Sequence, residues 1–213
     1  MSLQINKETK LFGSFSETPG NNGCLFFNNA FQKYGINAIY KSFYSNNIGE
    51  TIQAVKHLGF FGFALSFPHK IKILQYLNEI DEVADKIGAV NTVVNVDGKL
   101  IGYNTDFSGV EKFLTSFLTE SNVNIVGNGG FSRAIQYTLK KMNIEYKIYE
   151  RADVNKIDKQ HNKIFINATP IDIESTRNKI IDLRPHTENG KIVAKFQAID
   201  QFKLYTGIDY EES

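Results

Sequence analysis

"VNIVGNGGFSRA", residues 123–134, decides how this chain is read. Val123 to Val126 form a short β-prone run, Gly127, Asn128, Gly129 and Gly130 follow, and residues 131–142 carry apolar side chains at helical spacing. Strand, glycine turn and helix in that order leave backbone N–H groups bare at the positive end of a helix, where a pyrophosphate can approach. Ser132 stands where a third glycine is usual. Taken alone, the turn is equally a tight strand-to-helix connection that binds nothing.

Downstream, "EYKIYE" (145–150) and "KIFINAT" (163–169) read as two further strands. Glu150 falls 20 residues after Gly130 and is followed by Arg151. An acid at that place accepts from the ribose 2′-hydroxyl of NAD, and an arginine holds the 2′-phosphate of NADP, so the pair leaves the choice open. The stretch 107–189 is too short for a six-strand doubly wound sheet and predicts a reduced Rossmann-type NAD(P)-binding domain.

Upstream, strand-like and helix-like segments alternate. Residues 10–16, 37–44 and 60–67 read as strands, and 25–35 and 48–59 as helices stopped by Gly35 and Gly59, the second with Ile52, Val55, His57 and Leu58 on its apolar face. The continuous apolar run 60–67 predicts a strand buried on both faces. Pro68 ends it, and Lys70 opens an amphipathic segment, 70–80, where a lysine is a solvated helix-start charge or a proton donor. Asp97-Gly98 centres a hairpin over 89–106, and 107–120 reads as a connecting helix. The prediction is a two-domain α/β protein with a mostly parallel first sheet. Its first domain spans 1–106 and takes back a last helix at 190–213, and its second spans 107–189.

Composition narrows the partners. Of 213 residues, 42% are hydrophobic, enough for a real core, and 24 Lys and Arg against 23 acidic residues give a net charge of +1. No basic block interleaves with aromatics, so nucleic acid and membrane surfaces are not expected partners. Cys24 is the only cysteine, His57, His69, His161 and His186 are scattered, and neither a disulfide framework nor a metal site is expected. Residues 1–10 lack an apolar signal core, and the expected location is the cytoplasm.

The order "FPHK", "GAVNT", "YNTD", "GNGGFSR", "YER", "INATP" and "NGKIVAKFQAIDQF" resembles the shikimate dehydrogenase family over nearly the whole chain. Within it the chain is most similar to the shikimate dehydrogenase-like branch. The resemblance implies reversible reduction of 3-dehydroshikimate to shikimate with NADP(H), NAD(H) remaining open, by a monomer or homodimer. It implies Lys70 and Asp106 as the catalytic pair. Ser14 and Ser16 match the positions that hold the substrate carboxylate, and Ser66, Asn91 and Gln197 further substrate contacts. Gly127, Asn128, Gly129, Gly130, Phe131, Glu150, Arg151, Asn167, Ala168 and Thr169 match the cofactor-binding positions.

Three departures accompany it. Extra residues, including Pro19-Gly20 and Asn21-Asn22, separate Ser16 from the first helix. Ala64 and Ser66 stand where the family carries asparagine and threonine, which removes one ring-hydroxyl contact and keeps a quinate preference open. Only 19 residues lie between Pro170 and Gly190, so the strand and loop that would cover a nicotinamide are shortened or absent. A trimmed relative that binds such acids or a nucleotide without turnover is the alternative.

Overall fold

The computed structural model describes residues 5–118 and 123–211. The chain divides into two compact units, Met1–Thr105 with Ala198–Ser213, and Asp106–Gln197.

The first unit holds strands β1 (Lys10–Ser16), β2 (Ala38–Tyr44), β3 (Phe60–Leu65), β4 (Glu79–Ile80), β5 (Thr92–Val96) and β6 (Lys99–Tyr103), in the order β2-β1-β3-β5-β6-β4. The pairs β1–β2, β1–β3 and β4–β6 are parallel, and the two pairs made by β5 are antiparallel. Asp97 and Gly98 both take positive φ, as the two-residue hairpin turn demands. Helices α1 (Asn22–Lys33), α2 (Ile48–His57), α3 (His69–Lys72) and α4 (Glu82–Ile87) complete this stretch. One face of the sheet packs Phe15, Phe63, Leu65 and Val93 against Ile48, Ile52 and Val55 of α2. The other packs Phe12 and Tyr40 against Phe27 and Phe31 of α1 and against Phe202.

α1 also covers the outer margin of β2. Asn28 Nδ2 donates to the Tyr40 carbonyl and its Oδ1 accepts from the Tyr40 N–H, each at 2.9 Å, while the Ser42 N–H donates to Cys24 Sγ at 3.3 Å. Cys24 and Asn28 are four residues apart and so share one helix face.

Three expectations need correction here. Phe61 is 44% exposed, so β3 is not buried on both faces. The β1–β3 register slips between Leu11 and Phe12, which leaves Phe61 as the bulged residue, with Lys10 Nζ 5.0 Å from its ring. In α2 the buried residues are Ile48, Thr51, Ile52 and Val55, whereas His57 and Leu58 face outward at the helix end. The segment 70–80 is not one helix: α3 stops at Lys72, a 3-10 turn covers Ile73–Tyr76, and β4 follows. Asn78 explains the break, because its N–H donates to the Leu100 carbonyl and its Oδ1 accepts from the Leu100 N–H, pulling the chain onto β6.

The second unit is built on β7 (Val123–Val126), β8 (Tyr146–Tyr149), β9 (Ile164–Asn167) and β10 (Lys179–Asp182), all parallel, in the order β10-β9-β7-β8. Helix α6 (Gly130–Lys141) crosses from β7 to β8, and a 3-10 helix, Arg151–Lys159, leads on to β9. β7 and β9 are buried throughout, as central strands should be. β10 is a fourth strand beyond the three expected from the sequence: the shortened segment keeps a four-residue strand. Helix α5 runs from Thr105 to Phe117, and the last residues of the helix expected over 107–120 lie outside the described residues. Helix α7 (Glu188–Thr206) begins in the second unit and ends in the first. The segment 190–213 expected to return also ends outside the described residues.

Candidate active site

In the first unit, the carboxyl ends of β1 and β3 gather Ser14, Ser16, Ser66 and Lys70. Ser14 lies opposite Ser42 in β2 and Ala64 in β3, and its Oγ donates to Ser42 Oγ at 3.0 Å. The Ser66 N–H donates to the Phe15 carbonyl at 3.1 Å, which brings the residue after β3 beside Ser16. Pro68 ends β3, and Lys70 follows on α3, half-buried, with its carbonyl accepting from the Val90 N–H at 2.8 Å. That bond draws the lysine's turn to the segment holding Asn91.

Asn91 is fully buried. Its Oδ1 accepts from the Thr105 N–H at 2.7 Å and from Thr92 Oγ1 at 3.1 Å, and its Nδ2 donates to Thr105 Oγ1 at 3.0 Å. Gln201, which the family motif does not single out as it does Gln197, adds a buried amide by donating to Thr92 Oγ1 at 2.7 Å. Thr92 is visible in the "GAVNT" motif. Gln201 carries no sequence signal beyond its place in the late helix.

Behind Ser14 lies Tyr40. Burial pushes its phenol well above the ordinary tyrosine value, and the Ser14 hydroxyl acts in the opposite direction. Tyr205 is pushed up by burial as well, and its buried hydroxyl has no partner among the described residues.

Asp106 and Gln197 belong to the second unit. Asp106 is buried in the first turn of α5. Gln197 is half-buried on α7, and its backbone nitrogen would stand 3.2 Å from a Cβ placed on Gly109.

The remaining candidates meet at the carboxyl ends of β7, β8 and β9. Gly127 has a φ of +107°, and a Cβ there would stand 2.9 Å from Thr169 Cγ2. Its N–H donates to the Tyr149 carbonyl at 2.8 Å, and the Ala168 N–H donates to the Val126 carbonyl at 2.9 Å. Ser132, in the glycine's place, donates its hydroxyl to the Gly127 carbonyl at 2.7 Å and pins the turn. Asn128 is exposed, and Phe131 packs on the core. Gly129 caps α6, Gly130 opens that helix, and a Cβ on Gly129 would meet nothing within 4 Å. Asn167 fixes the turn after β9 by accepting from the Thr169 N–H and hydroxyl and donating to the Ile171 carbonyl. Past β8, the Glu150 carbonyl accepts from the Asp153 N–H at 2.9 Å and the Glu150 N–H donates to Asp153 Oδ2 at 3.2 Å, while Arg151 is exposed.

Residues 22–93 match the model of the shikimate dehydrogenase substrate binding domain. A shikimate dehydrogenase-like protein of Haemophilus influenzae is 30% identical, the match covering 95% of this chain and 92% of that protein. The chain belongs to the shikimate dehydrogenase family. A shikimate dehydrogenase (NADP(+)) of Bacillus cereus is 36% identical over 82% of this chain, which spans 64% of that relative's length. A solved shikimate 5-dehydrogenase-like protein superposes with a TM-score of 0.77 at 29% identity, over 98% of this chain and 96% of that one. Family membership accounts for the pairing of a six-stranded mixed sheet with a four-stranded parallel one.

Proposed function

We propose that this protein is an oxidoreductase catalysing the NADP(H)-dependent interconversion of 3-dehydroshikimate and shikimate. The observation that carries the reading is Lys70, which follows β3 on α3 inside the segment that matches the family's substrate binding domain, with its carbonyl bonded to Val90 next to the buried Asn91.

Reduction of a ring carbonyl leaves an alkoxide oxygen that must gain a proton, and the Lys70 ammonium is assigned as its donor. Asp106 is the second member of the pair. Ser14 and Ser16 are assigned to the substrate carboxylate, and Ser66, Asn91 and Gln197 to other substrate oxygens. Ser14 already donates to Ser42, and both ends of the Asn91 amide are engaged. Substrate therefore exchanges bonds with these two groups instead of meeting bare ones.

Bound NADPH supplies the hydride. The turn from Gly127 to Phe131 suits its pyrophosphate, because Gly129 leaves the N-terminus of α6 uncovered and a Cβ at Gly127 would press on Thr169. Asn167, Ala168 and Thr169 flank that turn. The exposed Arg151 that follows β8 is assigned as the partner of a 2′-phosphate, which supports NADP(H) over NAD(H).

The test is purified protein with 3-dehydroshikimate and either NADPH or NADH, followed by nicotinamide absorbance. Oxidation of NADPH is expected. Silence with both cofactors, from protein shown to be folded, overturns the reading.

A further inference from the structure

The turn that presents Lys70 is tied down by a side chain that has no place in the chemistry above. His69 is fully buried, and its Nε2 lies 2.9 Å from the Ser45 carbonyl oxygen. A carbonyl oxygen only accepts, so Nε2 carries a ring proton and donates it. Nδ1 is itself buried and has no hydrogen-bond partner among the described residues. An apolar side chain of similar bulk would avoid that unpaired atom, so packing alone does not account for a histidine here.

Ser45 is where the bond gains its reach. Its N–H donates to the Ser16 carbonyl at 2.8 Å, and its Oγ lies 2.6 Å from Thr51 Oγ1 in α2. On the other side, the His69 N–H donates to the Ser66 carbonyl at 2.8 Å, and the next residue's carbonyl accepts from Val90. One imidazole thus joins the ends of β1 and β2 to the turn that follows β3.

We propose that His69 is a positioning residue for Lys70: its Nε2–H bond to the Ser45 carbonyl fixes the lysine's turn relative to the strand ends carrying Ser16 and Ser66. The proposal rests on the assignment of Lys70 as proton donor. His69 touches no reacting atom and acts through the backbone of α3.

The test compares His69→Leu, which removes the donor, with His69→Gln, whose amide can restore an N–H near the same place. The measurements are kcat and KM with 3-dehydroshikimate and NADPH, thermal midpoint, and hydrogen exchange of the Val90 amide. In His69→Leu, kcat falls on the order of 10²-fold, the cost of a displacement of about 1 Å, while KM stays near the wild-type value. In His69→Gln most of kcat returns, and Val90 protection is lost in the first variant and regained in the second. A wild-type kcat in His69→Leu with only a lower thermal midpoint overturns the proposal, as does a His69→Gln variant that regains stability without activity. If His69→Leu does not fold, His69→Asn, whose amide is too short to reach Ser45, takes its place. If wild-type protein shows no turnover, the functional reading fails by itself and exchange decides the positioning: protection lost and regained upholds it, and unchanged protection overturns it.

Discussion

Gly190 stands directly against the main chain of Arg184. A Cβ on Gly190 would fall inside the van der Waals envelope of the Arg184 carbonyl oxygen and 2.9 Å from the Leu183 carbonyl carbon. The Arg184 guanidinium in turn binds Asp182 through Nε and Nη2 and reaches Asp172 at 2.5 Å. The short passage from β10 to α7 is therefore held by close backbone contact and by one arginine.

Gly190→Ala is expected to destabilise the protein strongly, at or above the upper end of the roughly 1–3 kcal/mol typical of overpacking, because the clash is with backbone that cannot swing aside. Urea unfolding measures it. A loss below about 0.5 kcal/mol, the range of an ordinary surface change, would show that the passage can relax.

Gly129→Ala separates binding from stability. The residue has φ −88° and ψ −174°, which alanine adopts freely, and apart from its chain neighbours no described residue comes within 4 Å of the new carbon. Stability is expected to stay within about 0.5 kcal/mol of wild type. KM for NADPH is expected to rise on the order of tenfold, about 1.4 kcal/mol, as the methyl intrudes on the pyrophosphate. Unchanged KM would place the cofactor elsewhere.

Lys70→Ala is expected to lower kcat by about 10²–10⁴-fold, the usual contribution of a positioned acid or base, in protein that keeps its unfolding midpoint. Calorimetry with shikimate separates loss of chemistry from loss of binding. Retained turnover would remove Lys70 from the catalytic pair.

Tyr40 and Tyr205 set the alkaline limit. Burial raises both phenols above their ordinary value, so the unfolded chain releases these protons first as pH rises. The stability they contribute is complete below the ordinary tyrosine value of about 10 and is lost as pH climbs above it. Tyr205→Phe is expected to shift the alkaline unfolding midpoint upward. At neutral pH it should be neutral or stabilising by up to about 1 kcal/mol, since the buried Tyr205 hydroxyl has no partner among the described residues. Phenolate absorbance against pH, beside circular dichroism, measures both; a midpoint unchanged by the substitution would mean that the Tyr205 phenol does not govern alkaline unfolding.

Local chemistry makes parts of this fold legible in advance. Pro68 marks the start of α3 shortly after β3, Asp97-Gly98 makes a turn of positive φ, and the glycines after β7 open a helix. α4 escapes the pattern reading although Asp81 at its N-cap and Gly88 in the left-handed region at its end are ordinary boundary signals. β10 leaves too little pattern in four residues. The break in 70–80 depends on Asn78 meeting Leu100, a partner 22 residues away that periodicity cannot reveal. The candidate site divides the same way. Lys70 and the glycine turn stand out locally, whereas the links His69 to Ser45, Gln201 to Thr92 and Asn91 to Thr105 exist only once distant strands are side by side.

The contact of Asn28 and Cys24 with β2 bears on behaviour at high concentration. β2 is the long outer strand of its sheet, and such strands are ready templates for a second chain. Here both main-chain groups of Tyr40 and the N–H of Ser42 already have partners from α1, while the opposite margin offers only Glu79–Ile80. An incoming strand therefore meets, at the middle of β2, main-chain groups that α1 already occupies. Templated growth on this margin must begin by peeling α1 away from β2, which ties the protection of the first sheet's long edge to the docking of a single helix.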